Sequence, residues 1–266
     1  MERSVGLLEN IHYRSSTVAW GDYPGYVEDL IIRSGARRVL ELGGGANPAI
    51  PLDFLRRHGI EYTVLDISPT ELAKAPDHYR KVCGDIGSPS MSFDGIDGSY
   101  DIVFSKMLAE HVKNGEQMHR NVFRLLAPGG KAVHYFPTLY APPFVVNRLV
   151  PERLGYWLLQ WLQPGREQEG KSAKFPAYYS WCRGPTRRQI ARLRGLGYAV
   201  EEYIGFFGHR VYYRKLPPVR RLHCRLADWL VKHPVPALTS SSYVLLSKPA
   251  GSMPALREQE AGRALA

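Results

Sequence analysis

Residues 38–48, RVLELGGGANP, constrain this chain more than any other stretch. Val39, Leu40 and Leu42 make the short apolar run that a strand buried on both faces carries. Gly43, Gly44 and Gly45 follow without a break. Having no Cβ, they let the backbone turn sharply and let a ligand come close to it. Asn47 is a favoured N-cap, and Pro48 suits a first helical position, where its missing N–H has no partner anyway. The pattern predicts a strand, a bare tight loop and a helix over 49–58 that Gly59 stops. The unpaired N–H groups of such a helix start suit a carboxylate or phosphate.

The pattern then repeats. A helix is expected over 24–34, closed by Gly35. Strands are expected at 60–67, 79–83, 100–105 and 131–136, with a helix over 114–127 between the last two. A helix over 184–195 and a strand over 197–204 follow, and a final strand at 242–247. Strands alternating with helices predict a doubly wound, mostly parallel sheet, whose ligands bind at the carboxyl ends of the strands. Asp66 closes the second strand. One carboxylate there can accept hydrogen bonds from two neighbouring ribose hydroxyls. Its other reading is a cap for the helix near Pro69, a task that Ser68 can do alone.

Gly43 and Gly45 also begin a dinucleotide fingerprint, G-x-G-x-x-G, but Pro48 stands where the third glycine belongs. Glu41-x-Gly43-x-Gly45 resembles instead the first motif of the class I S-adenosylmethionine (SAM)-dependent methyltransferases, with Asn47 in place of the usual last glycine. Four later landmarks resemble the same family in the same order. They are Asp66, the pair Asp85-Ile86, the run Asp101-Ile102-Val103 with the following Glu110-His111, and the turn Leu126-Ala127-Pro128-Gly129-Gly130. The resemblance covers residues 36–136. It implies a Rossmann-like, seven-stranded sheet with an antiparallel last strand and helical insertions after strands five and six. It also implies SAM as cofactor, held by Glu41, Gly43, Gly44, Gly45, Asn47, Asp66 and Ile67, with Asp85 at the adenine amino group and Ile86 on the ring. Ser105 and Lys106 would border it at the tip of strand four. No metal is called for.

By this reading residues 1–35 form an N-terminal helical arm or lid. The SAM-binding domain spans 36–249 with insertions at 137–183 and 206–238, and 250–266 is a frayed tail. Cys83, Cys182 and Cys224 are odd in number and far apart, which argues against a disulfide framework and for a reducing, cytoplasmic setting. No secretory leader and no membrane span are expected. Charge is uneven: residues 1–130 hold 14 Lys and Arg against 17 Asp and Glu, and residues 131–266 hold 21 against 8. The basic half suits an anionic partner. Its apolar stretch at 144–162, with Trp157 and Trp161, suits either a cap over the acceptor pocket or peripheral contact at the inner membrane face.

The resemblance implies methyl transfer by in-line displacement, in which the chain must hold the reactants collinear. A hydroxyl acceptor also gives up a proton, and imidazole is the side chain best matched to that task at neutral pH. His111 is the first candidate base and His134 the second. Tyr135, Tyr140, Tyr178 and Tyr179 are candidates for the acceptor pocket. The expected acceptor is a small molecule, glycan or lipid-linked group methylated on oxygen. One alternative is an RNA methyltransferase using the basic half, but the run after strand four is Ser105-Lys106-Met107-Leu108, not the N/D/S-P-P-Y/F of adenine amino methylases. Another is a non-catalytic, membrane-associated scaffold of the same fold.

Overall fold

The computed structural model describes residues 10–90, 98–140, 176–209, 213 and 215–251. The apolar stretch of the first insertion, Arg210, Arg214 and most of the expected tail lie outside the described residues. The strands are β1 (Ile11–Ser15), β2 (Arg38–Leu42), β3 (Glu61–Asp66), β4 (Arg80–Cys83), β5 (Tyr100–Lys106), β6 (Leu126–Pro137), β7 (Ala199–Phe207) and β8 (Ser241–Ser247). The helices of six residues or more are α1 (Ser16–Ser34), α2 (Leu52–His58), α3 (Pro69–Lys74), α4 (Gly115–Leu125), α5 (Arg187–Gly195) and α6 (Pro217–Lys232).

All eight strands join one sheet in the order β1-β7-β8-β6-β5-β2-β3-β4. Only β8 runs against its neighbours; every other pairing is parallel. The sheet thus has one strand more than the seven expected. The extra strand is β1, from the segment anticipated as an arm. It pairs along its whole length with β7, Ile11 opposite Tyr203 and Ser15 opposite Phe207.

Residue parity along the strands sorts the core into two layers. Leu40, Leu42, Val103, Ala132 and Phe136 face one side, under α4 and α5. Val39, Val64, Ile102, Phe104, Val133 and Tyr135 face the other, under α1, α2 and α3. Each fully buried Leu or Val is worth about 1.5–3 kcal/mol.

Two helices differ from the sequence expectation. α1 begins at Ser16, not at Pro24, and carries Pro24 within it. The proline has no N–H to give the carbonyl of Trp20, and that turn is held by tertiary bonds. Tyr243 donates its hydroxyl to Ala19 O, and Tyr23 donates to Ser105 O at 2.8 Å and Val133 O at 2.9 Å. α2 begins at Leu52, so Asn47 caps no helix. Asn47 and Ile50 each precede a proline, which disfavours helical backbone at both. Asn47 N donates to Gly44 O at 2.9 Å and closes a turn instead.

Tyr23 reaches from α1 under the join of β5 and β6, and its hydroxyl is buried. Tyr23→Phe leaves those carbonyls without it, so we expect a loss of about 1–3 kcal/mol in urea unfolding, with the sheet intact by circular dichroism.

Candidate functional site

The tips of β2, β3, β4 and β5 meet at one edge of the sheet. The glycine loop crosses there, and each of its glycines is closely packed. Gly43 has φ 75°, its N–H donates to Leu65 O at 2.7 Å, and a Cβ on it would stand 2.8 Å from Leu108 Cδ1. A Cβ on Gly44 would lie 2.8 Å from Glu41 Oε2 and 2.9 Å from Val64 Cγ1. Gly45, at φ 45°, has Asp66 Oδ2 at 3.1 Å from its Cβ position. The loop is therefore pressed on Leu108 of one strand exit, Asp66 of another and a buried carboxylate of its own strand.

That carboxylate is Glu41, only 3% exposed. It accepts from Ala49 N with both oxygens at 3.1 Å and from the Tyr62 hydroxyl at 2.6 Å. Burial raises its pKa to about 7 against those two stabilising bonds. Glu41 braces the loop from within the core rather than facing outward.

The other expected cofactor residues divide by position. Asp66 is half-buried, and its Oδ1 accepts from Ser68 N at 2.9 Å while Oδ2 lies toward Gly45. Ser68 does cap α3, accepting from Glu71 N at 3.2 Å. Ile67 beside it is 62% exposed, an apolar side chain held at the strand tips. Cys83 lies opposite Asp66, and Gly84 N donates to Asp66 O at 3.0 Å, which brings the next landmark alongside. Asp85 is exposed, with Oδ1 accepting from Gly87 N at 2.8 Å, whereas Ile86 is buried. Asn121 of α4 clamps that turn, donating to Ile86 O at 2.8 Å and Ser88 O at 2.9 Å. Asn47 is exposed on the loop.

Parity separates Ser105 from Lys106. Lys106 emerges on the α1 side, its ammonium 4.2 Å from the centre of the Trp20 ring, and partial burial lowers its pKa. Ser105 points the other way, fully buried, and its hydroxyl lies 2.8 Å from His134 Nδ1. His134 is fully buried too, its ring 5.4 Å from that of His119 under α4. Burial, then His119, holds its pKa well below the usual imidazole value. Ser105 and His134 thus belong to the interior of the sheet and reach no cleft, because residues 105 and 134 share the α4 face. Tyr135 and Tyr179 are buried; Tyr140 and Tyr178 are exposed.

His111 lies in a short 3-10 turn, Ala109–His111, just past β5. Its Nδ1 is 2.9 Å from Pro176 O. A carbonyl only accepts, so Nδ1 is the donor in this bond. Nε2 is 3.7 Å from Glu110 Oε1. Glu110, which the sequence reading quoted but gave no role, is 4% exposed, and its Oε2 has no hydrogen-bond partner among the described residues. Burial pushes its pKa up to about 8. Its own carbonyl accepts from Tyr178 N at 2.7 Å and Tyr179 N at 3.1 Å, so the chain returning from the first insertion is fastened to this turn.

This edge fits SAM: a floor that a Cβ would fill, a carboxylate oxygen beside it and an exposed apolar side chain for a ring. Among the described residues no group of His, Cys, Asp and Glu comes together to hold a metal ion.

Comparison with known proteins agrees. The family model described as a methyltransferase domain matches residues 40–134. An "uncharacterized methyltransferase" of Mycobacterium sp. (strain JLS) is 31% identical over 160 residues, covering 54% of this chain and 60% of the relative. The norajmaline N-methyltransferase of Rauvolfia serpentina is 28% identical over 103 residues, covering 36% of this chain and 35% of that one. The chain thus spans under two thirds of these curated relatives. Among solved structures, the [4+2]-cyclase SpnF aligns at TM-score 0.53 and 17% identity over 92% of this chain and 87% of its own. CurJ carbon methyltransferase aligns at TM-score 0.52 and 17% identity over 88% of this chain and 56% of its own. At such identities the likeness is one of fold, and a fold shared by a cyclase and a methyltransferase does not choose the reaction.

Two expectations follow. Asp66→Ala should weaken SAM binding at least tenfold in calorimetry with an unchanged circular-dichroism spectrum; unchanged affinity takes Asp66 out of the site. The second concerns pH. Glu41 and Glu110 are raised from 4.5 to about 7 and about 8, so in that range the fold keeps protons that the unfolded chain has released. Stability therefore falls as pH rises through it. His119 and His209, lowered from 6.5 to about 4, act oppositely but only below 6.5. Urea midpoints should fall between pH 6.5 and 8, and Glu110→Gln should remove most of that fall.

Proposed function

We propose that this chain, whose residues 40–134 form a class I SAM-dependent methyltransferase domain, is an enzyme that methylates a hydroxyl of a small-molecule, glycan or lipid-linked acceptor. When bound, SAM supplies a methyl group already activated on a sulfonium. The observation that carries the oxygen acceptor is the placement of His111, just past the tip of β5, with Nδ1 2.9 Å from Pro176 O and Nε2 3.7 Å from Glu110 Oε1.

The chain's own groups divide the work. Gly43, Gly44 and Gly45 give a floor on which the cofactor can lie against peptide groups, and Glu41 keeps that floor in shape. Asp66 is placed to accept from ribose hydroxyls, Ile67 to cover the adenine, and Asp85 to receive its amino group. His111 takes the hydroxyl proton at Nε2 as the acceptor oxygen becomes a nucleophile, a step worth about 10²–10⁴-fold in general base catalysis. Glu110 positions the base: its carboxyl Oε1 lies 3.7 Å from His111 Nε2. Tyr178, fastened to the Glu110 carbonyl and exposed, stands at the acceptor side. The surplus of cations in residues 131–266 suits an acceptor carried at an anionic membrane surface.

His111→Ala should lower kcat at least a hundredfold while SAM affinity stays within twofold. Full activity leaves His111 as a residue that holds the loop, through Nδ1 and Pro176 O. Transfer of labelled methyl into lipid, glycan, RNA and protein fractions of a cell extract tests the acceptor class. Label confined to RNA or protein overturns it.

A further inference from the structure

α6 presses Ala227 and Leu230 against Phe207 and Tyr13, and so fixes itself to the sheet beside β1 and β7. The neighbouring row of the same helix faces solvent. Val219 is 44% exposed, Leu222 70%, Leu226 49% and Trp229 52%. Steps of three, four and three residues put them in one line along the helix. Leu216 extends the row at one end, and Val235 and Leu238 lie exposed beyond the other. Scattered exposed apolar side chains are ordinary, but a continuous row marks an interaction surface.

Beside that row, farther from the core, run Arg221, Arg225 and Lys232, with Asp228 the carboxylate among them; Arg220 lies on the helix's other flank. An apolar line edged by cations, with a tryptophan in it, matches a helix lying in the headgroup layer of an anionic bilayer. The apolar side chains enter the acyl boundary and the cations meet lipid phosphates. Among the described residues no helix is long and apolar enough to cross a membrane, so contact would be along a surface.

The helix is also in a telling place. His209 N donates to His223 Nε2 at 2.7 Å, and Ser16 Oγ donates to Gly208 O at 2.5 Å. These bonds hold the early turns of α6 and the start of α1 at the carboxyl end of β7, the edge of the sheet that carries the candidate site. Val18 and Trp20, 42% and 58% exposed, lie at that same edge.

We propose that the row Val219, Leu222, Leu226 and Trp229, with Arg221, Arg225 and Lys232, docks the protein on an anionic membrane, and that the acceptor is an amphiphile carried in that membrane. The second half rests on the methyltransferase reading; the docking itself does not.

The test is sedimentation of the full chain with vesicles of phosphatidylcholine alone or of three parts phosphatidylcholine to one of phosphatidylglycerol. Wild type should bind the anionic vesicles at least tenfold better than the neutral ones. Leu222→Gln with Trp229→Gln should lose at least tenfold, and Arg221→Gln with Arg225→Gln several-fold, each keeping the wild-type spectrum and SAM affinity. Should the first pair fail to fold, Leu222→Gln alone decides. No preference for anionic vesicles overturns the proposal, as does wild-type binding by the Leu222 and Trp229 variant. RNA shifted on a gel by wild type but not by the arginine variant, with no vesicle binding, assigns the cations to nucleic acid and overturns it too. Vesicle binding as expected with no SAM binding leaves docking standing and removes the methyltransferase reading.

Discussion

The site depends on a carboxylate held where water cannot reach it. Glu41 sits at the last turn of β2, in the layer under α1 and α2, and spends its oxygens on Ala49 N and the Tyr62 hydroxyl. Burying a charge costs several kcal/mol unless hydrogen bonds offset it, and here they offset only part, since its pKa still rises to about 7. In return the loop gains a fixed anchor. Ala49 N is a donor that the Asn47 side chain would have capped in a helix begun at Pro48, and Glu41 takes it instead. The chain therefore passes over the carboxylate before α2 starts, with Gly44 against it. Gly44 has to be glycine because Glu41 fills the space of its Cβ.

This explains what a sequence shows of such a site and what it conceals. The landmarks were legible because each rests on local chemistry: a glycine where φ is positive or a neighbour is too near, an acid at a strand tip, a Pro-Gly-Gly turn. Their order along 36–136, with the family resemblance it carries, was enough for a mostly parallel sheet with an antiparallel last strand. The helix start was misplaced because Asn47-Pro48 carries a real capping signal that a tertiary bond overrides. Pro24 misled in the same way. It reads as a first helical residue, yet Tyr23 and Tyr243 hold the helix on both sides of it. β1 was missed although Ile11-His12-Tyr13-Arg14-Ser15 alternates in exposure as an edge strand does, because the run is only five residues long.

The side on which a residue points was, by contrast, available and unused. Once Val103 and Ala132 are assigned to the α4 layer, strand parity sends Ser105 and His134 there as well, and Lys106 to the other. Nothing in composition marks Glu110 as buried. Its position beside His111 was visible, but its burial comes from the chain that returns at Tyr178 and Tyr179 after an insertion of unrelated sequence. A contact between residues so far apart has no local signature.

Backbone strain points to the same corner of the molecule. Among the described residues only Met107, Tyr179 and Trp181 hold positive φ without being glycine, at 56°, 51° and 64°. Such conformations cost on the order of 1–3 kcal/mol each and persist where surrounding structure over-determines them. Met107 separates Lys106 from the turn that bears Glu110 and His111, and its N–H is fixed to Tyr135 O at 2.7 Å. Tyr179 N itself donates to the Glu110 carbonyl at 3.1 Å, and the hydroxyl of Ser180, between it and Trp181, accepts from Gly115 N at the start of α4. Between these stretches an imidazole nitrogen of His111 and a buried carboxyl oxygen of Glu110 lie 3.7 Å apart. A fold that required only a closed core could have relaxed all three. All three lie along the stretches that bear or fasten Glu110 and His111, whereas the positive φ of the glycine loop falls on Gly43 and Gly45, where it costs no such strain.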